Sequence, residues 1–342
     1  VRASKATAAM SASWISGLAR RAGGARTLPV AADPRVARVH QDTVVRLTGA
    51  PAPAPVAGAA PGTQPDAPWG LDRIDQRNLP LSTTYSWLTT APGVRVYVID
   101  TGLRFTHTEF GGRAVPGTDT VGDGGGGQDC NGHGTHVGGI VAGRTYGVAK
   151  AAGLVSVRVL NCQGSASTSG VIAGVDWVTA KAVRPAVANM SLGGAVSSAL
   201  DAAVSASIRA GITYTASAGS SARPDGACTT SPARLPEIIS VAASDRADRR
   251  ASSSNYGQCV SLFAPGVGIP SAWKDSDMAT ATLSGTSMAT AHAAGAAALH
   301  LGRYPGDSPA QVKRALVTNA TVGVLTGTPA VSPNRLLYTL YP

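Results

Sequence analysis

The sequence predicts an α/β fold: a doubly wound, mostly parallel sheet with helices on both faces. Three observations carry that prediction. β-Branched apolar runs alternate with helical stretches along most of the chain. The strand-like runs are apolar almost throughout rather than at every second position, as expected of strands covered on both sides. Finally, 342 residues, 44% hydrophobic and 14% charged, are enough to bury one large core plus an accessory segment.

The elements follow in order. Residues 51–68, PAPAPVAGAAPGTQPDAP, are almost wholly Pro, Ala and Gly, a linker composition. They separate an N-terminal part, 1–50, from a folded body, 69–342. In the body, VRVYVID (94–100) and LVSVRVL (154–160) read as strands, VIAGVDWVTAKA (171–182) as a helix and VANMSL (187–192) as a strand. SSALDAAVSASIRA (197–210) reads as a helix, and ITYTAS (212–217) and IISVAA (238–243) as strands. Ser308, Pro309 and Gln311 are the N-cap, first-turn proline and capping-box partner of a last helix.

Charge and composition remove several function classes. The formal net charge is +10, but residues 1–50 hold 8 Lys/Arg and 2 Asp/Glu, leaving 21 against 17 elsewhere. Nucleic-acid binding would need a basic face on the body with aromatic or helical readers, and only 5% of residues are aromatic, so nucleic acid is not an expected partner. No stretch of about 18 apolar residues occurs, and the run Ala289–Leu301 is broken by His292 and His300, so no membrane span is expected. The chain opens on Val1, and its first thirty residues lack the pattern of a secretion signal, which is expected to be absent or removed upstream. None of the four cysteines forms C-x-x-C, which argues against zinc or thioredoxin chemistry. An even count in a lysine-poor, Ser/Thr/Gly-rich chain points to two disulfides and an oxidising compartment, with three pairings open.

Three short stretches carry chemistry. Asp100 ends the apolar strand VYVI and is followed by Thr101 and Gly102, at the carboxyl end where ligands sit in such sheets. Taken alone it would pass for a turn or capping acid. NGHGTH (131–136) sets two histidines three apart among glycines, with no H-E-x-x-H and no third ligand to make a metal site. His133 at a helix mouth suits a catalytic base, and His136, inside the helix, suits a packed structural residue. In SGTSMATAH (284–292), Ser287 begins an Ala-rich helix, which places its hydroxyl and backbone N–H at the positive helix end. Acid, base and nucleophile in the order Asp, His, Ser form one of the chain orders known for a catalytic triad.

With these residues the sequence resembles the subtilisin-like serine proteases, in particular their proteinase K and aqualysin-like bacterial branch. The matching segments are YVIDTG (97–102), NGHGTHVGG (131–139), MSLGG (190–194), AASDRADRRASSSNYG (242–257), LFAPG (262–266) and SGTSMAT (284–290), within about residues 69–340. The resemblance implies a subtilisin-like fold and Asp100, His133 and Ser287 as the triad, with His133 the general base. It implies the pairings Cys130 with Cys162 and Cys228 with Cys259. It also implies that a peptide substrate binds as an extended strand between Gly164, Ser165, Ala166 and Ser167 on one side and Ser191, Leu192, Gly193 and Gly194 on the other. ADPRVARVHQDTVVRL (32–47) resembles the last part of the family's inhibitory prosegment, whose first half is not recognisable here. The chain's own prosegment is therefore an expected partner, as inhibitor and folding aid.

The departures from the family pattern matter as much. Where the family has an Asn that donates from its side chain to the oxyanion, this chain has Ser220, which implies a weakened oxyanion hole. A calcium-ligating Asp is replaced by Ser261, and the proline after SGTSMAT by Ala291. A candidate metal site keeps Asp72, Asp75 and Gln76, but its later acid is Ser82. No cofactor is required for the chemistry, and calcium is the one ion the resemblance raises. The expectation is a secreted serine endopeptidase of reduced rate acting on peptide or protein substrates. The alternative is a non-catalytic subtilisin fold that binds peptides or serves structurally.

Overall fold

Every residue of VYVID is buried. Val96 and Val98 face one apolar core while Tyr97 and Ile99 face the other. The strand Arg95–Asp100 (β1) is thus the middle of a sheet covered on both faces. The computed structural model describes residues 2–4, 38–40, 42–47, 50–52 and 62–341. Residues 53–61 of the linker stretch, and 32–37 and 41 of the prosegment-like stretch, lie outside the described residues.

The other strands of the main sheet are Ala114–Asp119 (β2), Gly153–Arg158 (β3), Ala186–Met190 (β4), Thr213–Ser217 (β5), Ile239–Ser244 (β6), Leu262–Pro265 (β7), Thr321–Val322 (β8) and Arg335–Leu336 (β9). Their spatial order is β8-β9-β7-β6-β5-β4-β1-β3-β2. All neighbours are parallel except β8 and β9. The helices are Trp69–Ile74 (α1), His133–Ala142 (α2), Thr168–Lys181 (α3), Ser198–Arg209 (α4), Thr286–Arg303 (α5) and Pro309–Asn319 (α6). Residues of α1, α2, α5 and α6 fill the core on one face of the sheet, and residues of α3 and α4 the core on the other. This is the predicted doubly wound α/β architecture.

Local sequence explains the boundaries. Helix α3 starts at Thr168, three residues before the predicted run, because Ser167 accepts a hydrogen bond from Gly170 N and caps it. Ser197 does the same for α4 through Leu200 N. At α6, Gln311 Oε1 accepts from Ser308 N, completing the predicted capping box. In α5 every residue from Thr286 to Leu301 is buried. Its alanines make a slim helix, apolar on all sides, that runs through the interior.

The chain adds β2 and β3 on one side of β1, then β4 through β7 on the other. The winding therefore reverses between β1 and β4, and the crevice beyond their carboxyl ends is the expected ligand site. Four smaller sheets lie outside the main sheet among the described residues, one of them the antiparallel pair Arg2–Ser4 and Arg38–His40. Val44–Leu47 lies antiparallel between Ser165–Ser167 and Leu192–Ala195. Ala50–Ala52 pairs with Thr280–Ser284, itself the hairpin partner of Ile269–Ala272. Thr63–Pro65 pairs with Thr84–Ser86. Disulfides join Cys130 to Cys162 and Cys228 to Cys259, the pairing that the resemblance implies.

Candidate active site

Asp100 is fully buried at the end of β1, and its Oδ1 accepts from the Thr101 amide at 2.7 Å. His133 opens α2, which can lie this close to β1 only because residue 134 is glycine. A Cβ there would stand 2.1 Å from Gly102 O. Gly132 before it takes φ 110°, the left-handed region that favours glycine. The result is a buried contact between His133 Nδ1 and Asp100, 2.8 Å to Oδ1 and 3.0 Å to Oδ2. A carboxylate accepts but does not donate, so Nδ1 carries a proton, and in the neutral ring the lone pair is then on Nε2. That Nε2 is buried and has no hydrogen-bond partner among the described residues.

Ser287 is the second residue of α5, fully buried. Its Oγ donates to Ser191 O at 3.0 Å, while Ser191 Oγ donates to Ser287 O at 2.9 Å. Asn189 Nδ2 in turn donates to Ser191 Oγ, and Thr215 Oγ1 to Asn189 Oδ1. A polar chain thus fixes the mouth of α5 to the carboxyl ends of β5 and β4. Since β4 adjoins β1, and neighbouring strands lie about 5 Å apart, acid and hydroxyl share one crevice.

Ser220 sits beside the same helix mouth. Its Oγ accepts from Thr286 N at 3.1 Å and lies 3.1 Å from Thr286 Oγ1. The hydroxyl therefore serves the residue that precedes Ser287.

Of the residues expected to flank substrate, Ser165–Ser167 and Leu192–Ala195 form the two edges of a one-strand gap, and Gly164 leads into the first. The chain's own Val44–Leu47 fills that gap, with Arg46 opposite both Ser165 and Gly193. It ends at Leu47 opposite Leu192, next to Ser191. The Ala50–Ala52 strand starts at Ala50 opposite Ser284, three residues before Ser287.

His136 does not join His133. It is buried in α2 with Nε2 3.1 Å from both Ile269 O and Ala281 O, and burial pulls its pKa down to about 3. Residues 72, 75 and 76 lie together at the end of α1. Asp72 accepts from Ser82 N, Ser82 Oγ and Thr83 N. Gln76 Oε1 accepts from Ser82 N, and its amide donates to Asn78 O and Pro80 O. Asp75 Oδ2 accepts from Ser86 N, whereas Oδ1 is buried without a partner among the described residues. Burial, with the nearby Asp72 acting in the same sense, pushes its pKa up to about 6. A hard cation asks for six to eight oxygens. Here the oxygens of Asp72 and Gln76 already face donors, so this set does not fit calcium. Ser261 likewise is engaged between strands, its Oγ accepting from Ser240 N.

The sequence reading missed Asp129. Its Oδ1 accepts from Thr101 Oγ1, Asn131 N and Gly132 N, and its Oδ2 from Thr135 N and Thr135 Oγ1. It caps α2 and ties the loop before His133 to the turn after Asp100. An Asp followed two residues later by Asn-Gly was the available turn signal. Asn189, inside an apolar strand, was the signal for the Ser191 network.

The Subtilase family matches residues 91–335. The extracellular serine proteinase of Thermus sp. (strain Rt41A) is 52% identical over 307 residues, covering 90% of this chain and 71% of that protein. Alkaline serine exoprotease A of Vibrio alginolyticus is 49% identical over 326 residues, covering 95% of this chain and 59% of that protein. The crystal structure of a cold adapted subtilisin-like serine proteinase superposes with a TM-score of 0.78 at 51% identity, over 81% of this chain and all of that one. This chain belongs to the subtilase family and is a subtilisin-like serine protease.

Proposed function

We propose that the chain is a secreted serine endopeptidase working through Asp100, His133 and Ser287. The single observation that supports it best is the buried His133–Asp100 pair whose Nε2 has no partner among the described residues. In the acylation step Ser287 Oγ attacks the scissile carbonyl and passes its proton to His133 Nε2. Asp100 holds the ring and stabilises the imidazolium. His133 then gives that proton to the leaving amine, and water, deprotonated by the same Nε2, hydrolyses the acyl-enzyme and restores Ser287. The oxyanion is met by the Ser287 backbone N–H at the positive end of α5. Ser220, turned to Thr286, supplies a weaker second contact than an asparagine would.

Several further readings belong to the same proposal. Substrate adds as a strand between Ser165–Ser167 and Leu192–Gly194, the place taken by Val44–Leu47 of the chain's own prosegment. Residues 1–50 act as the end of an inhibitory prosegment, 51–68 as a linker and 69–342 as the peptidase domain. Neither nucleic acid nor membrane is a partner; among the described residues no helix is long and apolar enough to cross a bilayer. Secretion is supported by the two disulfides and by the extracellular relative.

The test is labelling by a serine-directed fluorophosphonate together with peptide turnover. The native chain should be labelled and active, and Ser287→Ala should be folded, unlabelled and inactive. Unchanged turnover in Ser287→Ala would sink the triad assignment. A folded native chain that neither labels nor turns over would favour the non-catalytic alternative.

A further inference from the structure

The cleft does not end where strand pairing ends. Upstream of Val44, Asp42 and Thr43 meet the N-terminus of α3, a helix of 14 residues. The first-turn amides of that helix are all accounted for. Thr168 N donates to Thr43 O at 2.8 Å, Ser169 N to Asp42 Oδ1 at 2.9 Å, and Gly170 N to Ser167 Oγ at 3.1 Å. Two hydroxyls reinforce them. Ser169 Oγ donates to Asp42 Oδ2 at 2.5 Å, and Thr168 Oγ1 to Thr43 O at 3.0 Å. The acceptors come from a segment about 125 residues away, so they are a ligand of this helix end rather than its own cap. Of the three amides only Gly170 N is satisfied from within, by Ser167. A groove of about 300 Å³ lined by Asp42, Thr43, Asn161, Ser165, Ala166 and Ser167 continues along the same edge.

We propose that the mouth of α3 is a carboxylate-binding subsite of the substrate cleft. Once the chain's own segment has left, it takes an Asp or Glu side chain five residues before the substrate residue that pairs with Leu192. The recognition is that of a carboxylate by two donors of one residue, Ser169 N and Oγ, in the positive field of a helix end, with the preceding amide holding the next carbonyl. The inference rests on the proteolytic reading for its substrate but not for its chemistry.

The experiment uses the full chain, incubated until its activity on a reference tetrapeptide is constant. Fluorogenic decapeptides carry the sequence from Asp42 to Pro51, with Asp, Asn or Ala at the first position. At low salt the Asp peptide should show a kcat/KM about 5- to 30-fold above the Asn peptide, a ratio that shrinks in 1 M NaCl. Ser169→Ala, which keeps the amide but loses the hydroxyl, should cut the ratio about threefold. Equal kcat/KM for all three peptides, or a ratio that ignores both salt and Ser169→Ala, overturns the subsite while leaving the protease reading intact. If no peptide is cut, the protease reading fails, and hydrogen exchange decides the subsite. In the Ser287→Ala full chain, adding Asp42→Asn should speed exchange of the Val44–Leu47 amides by a similar factor, and unchanged exchange overturns the proposal.

Discussion

Replacing Ser220 by Asn tests the proposed catalytic geometry most sharply. In subtilisin the hole asparagine contributes about 10² to 10³ in kcat, roughly 2.7 to 4 kcal/mol, a magnitude that belongs to subtilisin and is taken over unchanged. The structure sets the cost against it. Ser220 Oγ accepts from Thr286 N at 3.1 Å, next to Ser287, and losing that bond costs about 1 kcal/mol. If all of that loss is felt in the transition state, the net gain is about 1.7 to 3 kcal/mol, or roughly 20- to 150-fold in kcat. KM should move little, because the new bond forms mainly with the tetrahedral oxyanion. The lost cap should appear separately, as a fall of about 2–4 °C in melting temperature. The assay is steady-state hydrolysis of a chromogenic tetrapeptide beside thermal denaturation of both proteins. A Ser220→Asn variant that is folded and shows no rise in kcat would refute the reasoning. Either Ser220 already donates to the oxyanion or another step limits the rate.

Three other predictions follow from the same structure. Thiol titration of the unfolded, unreduced protein should find no free cysteine. Each bridge closes a sequence separation of 32 or 31 residues, so removing either pair should cost about 3 to 4 kcal/mol in the chain-entropy account. Stability should fall on acidification below neutrality. Burial pulls the pKa of His136 down to about 3 and that of His292 down to about 4, so their contribution is complete above pH 6.5 and is lost as pH falls. Asp75, raised to about 6, acts with the opposite sign between pH 4 and 6, but one carboxyl opposes two imidazoles. Denaturant midpoints at pH 7 and 4.5 check the balance, and a midpoint that does not drop contradicts it. Calcium and EDTA should leave the native melting temperature in place, whereas Ser82→Asp, which replaces a donor to Asp72 by an acid, should make it rise with calcium. A native response to calcium that Asp72→Asn removes would show that the loop does bind the ion.

How far the sequence could be read depended on how local the signal was. The central strands were legible because Val96, Tyr97, Val98 and Ile99 are apolar on both faces, a pattern that only a buried strand requires. The start of helix α6 was legible to the residue because its cap chemistry lies within four positions. By contrast AVPGTD, the edge strand β2, holds Pro and Gly and is half exposed, so no period marked it. Asp100, His133 and Ser287 stood out through their glycine-rich settings and their order along the chain. Asp129 and Ser191 also hold those groups through contacts between separate elements, Asp129 with Thr101 and Ser191 with Ser287, and no spacing in the chain encodes those partners. The position of Ser220 was legible but not its rotamer: that its hydroxyl turns to Thr286 depends on where α5 begins in space.

The gap between Ser165–Ser167 and Leu192–Ala195 is one strand wide, and its two edges are three and four residues long. A helix, about 10 Å across, cannot enter a slot sized for a single extended backbone. A polypeptide reaches such a slot only when several consecutive residues have left their native pairing. Cutting of folded proteins by this chain should therefore follow the free energy with which their loops and termini open. When opening and reclosing are fast, two targets with identical cleavage sequences should differ in half-life by their opening equilibria alone.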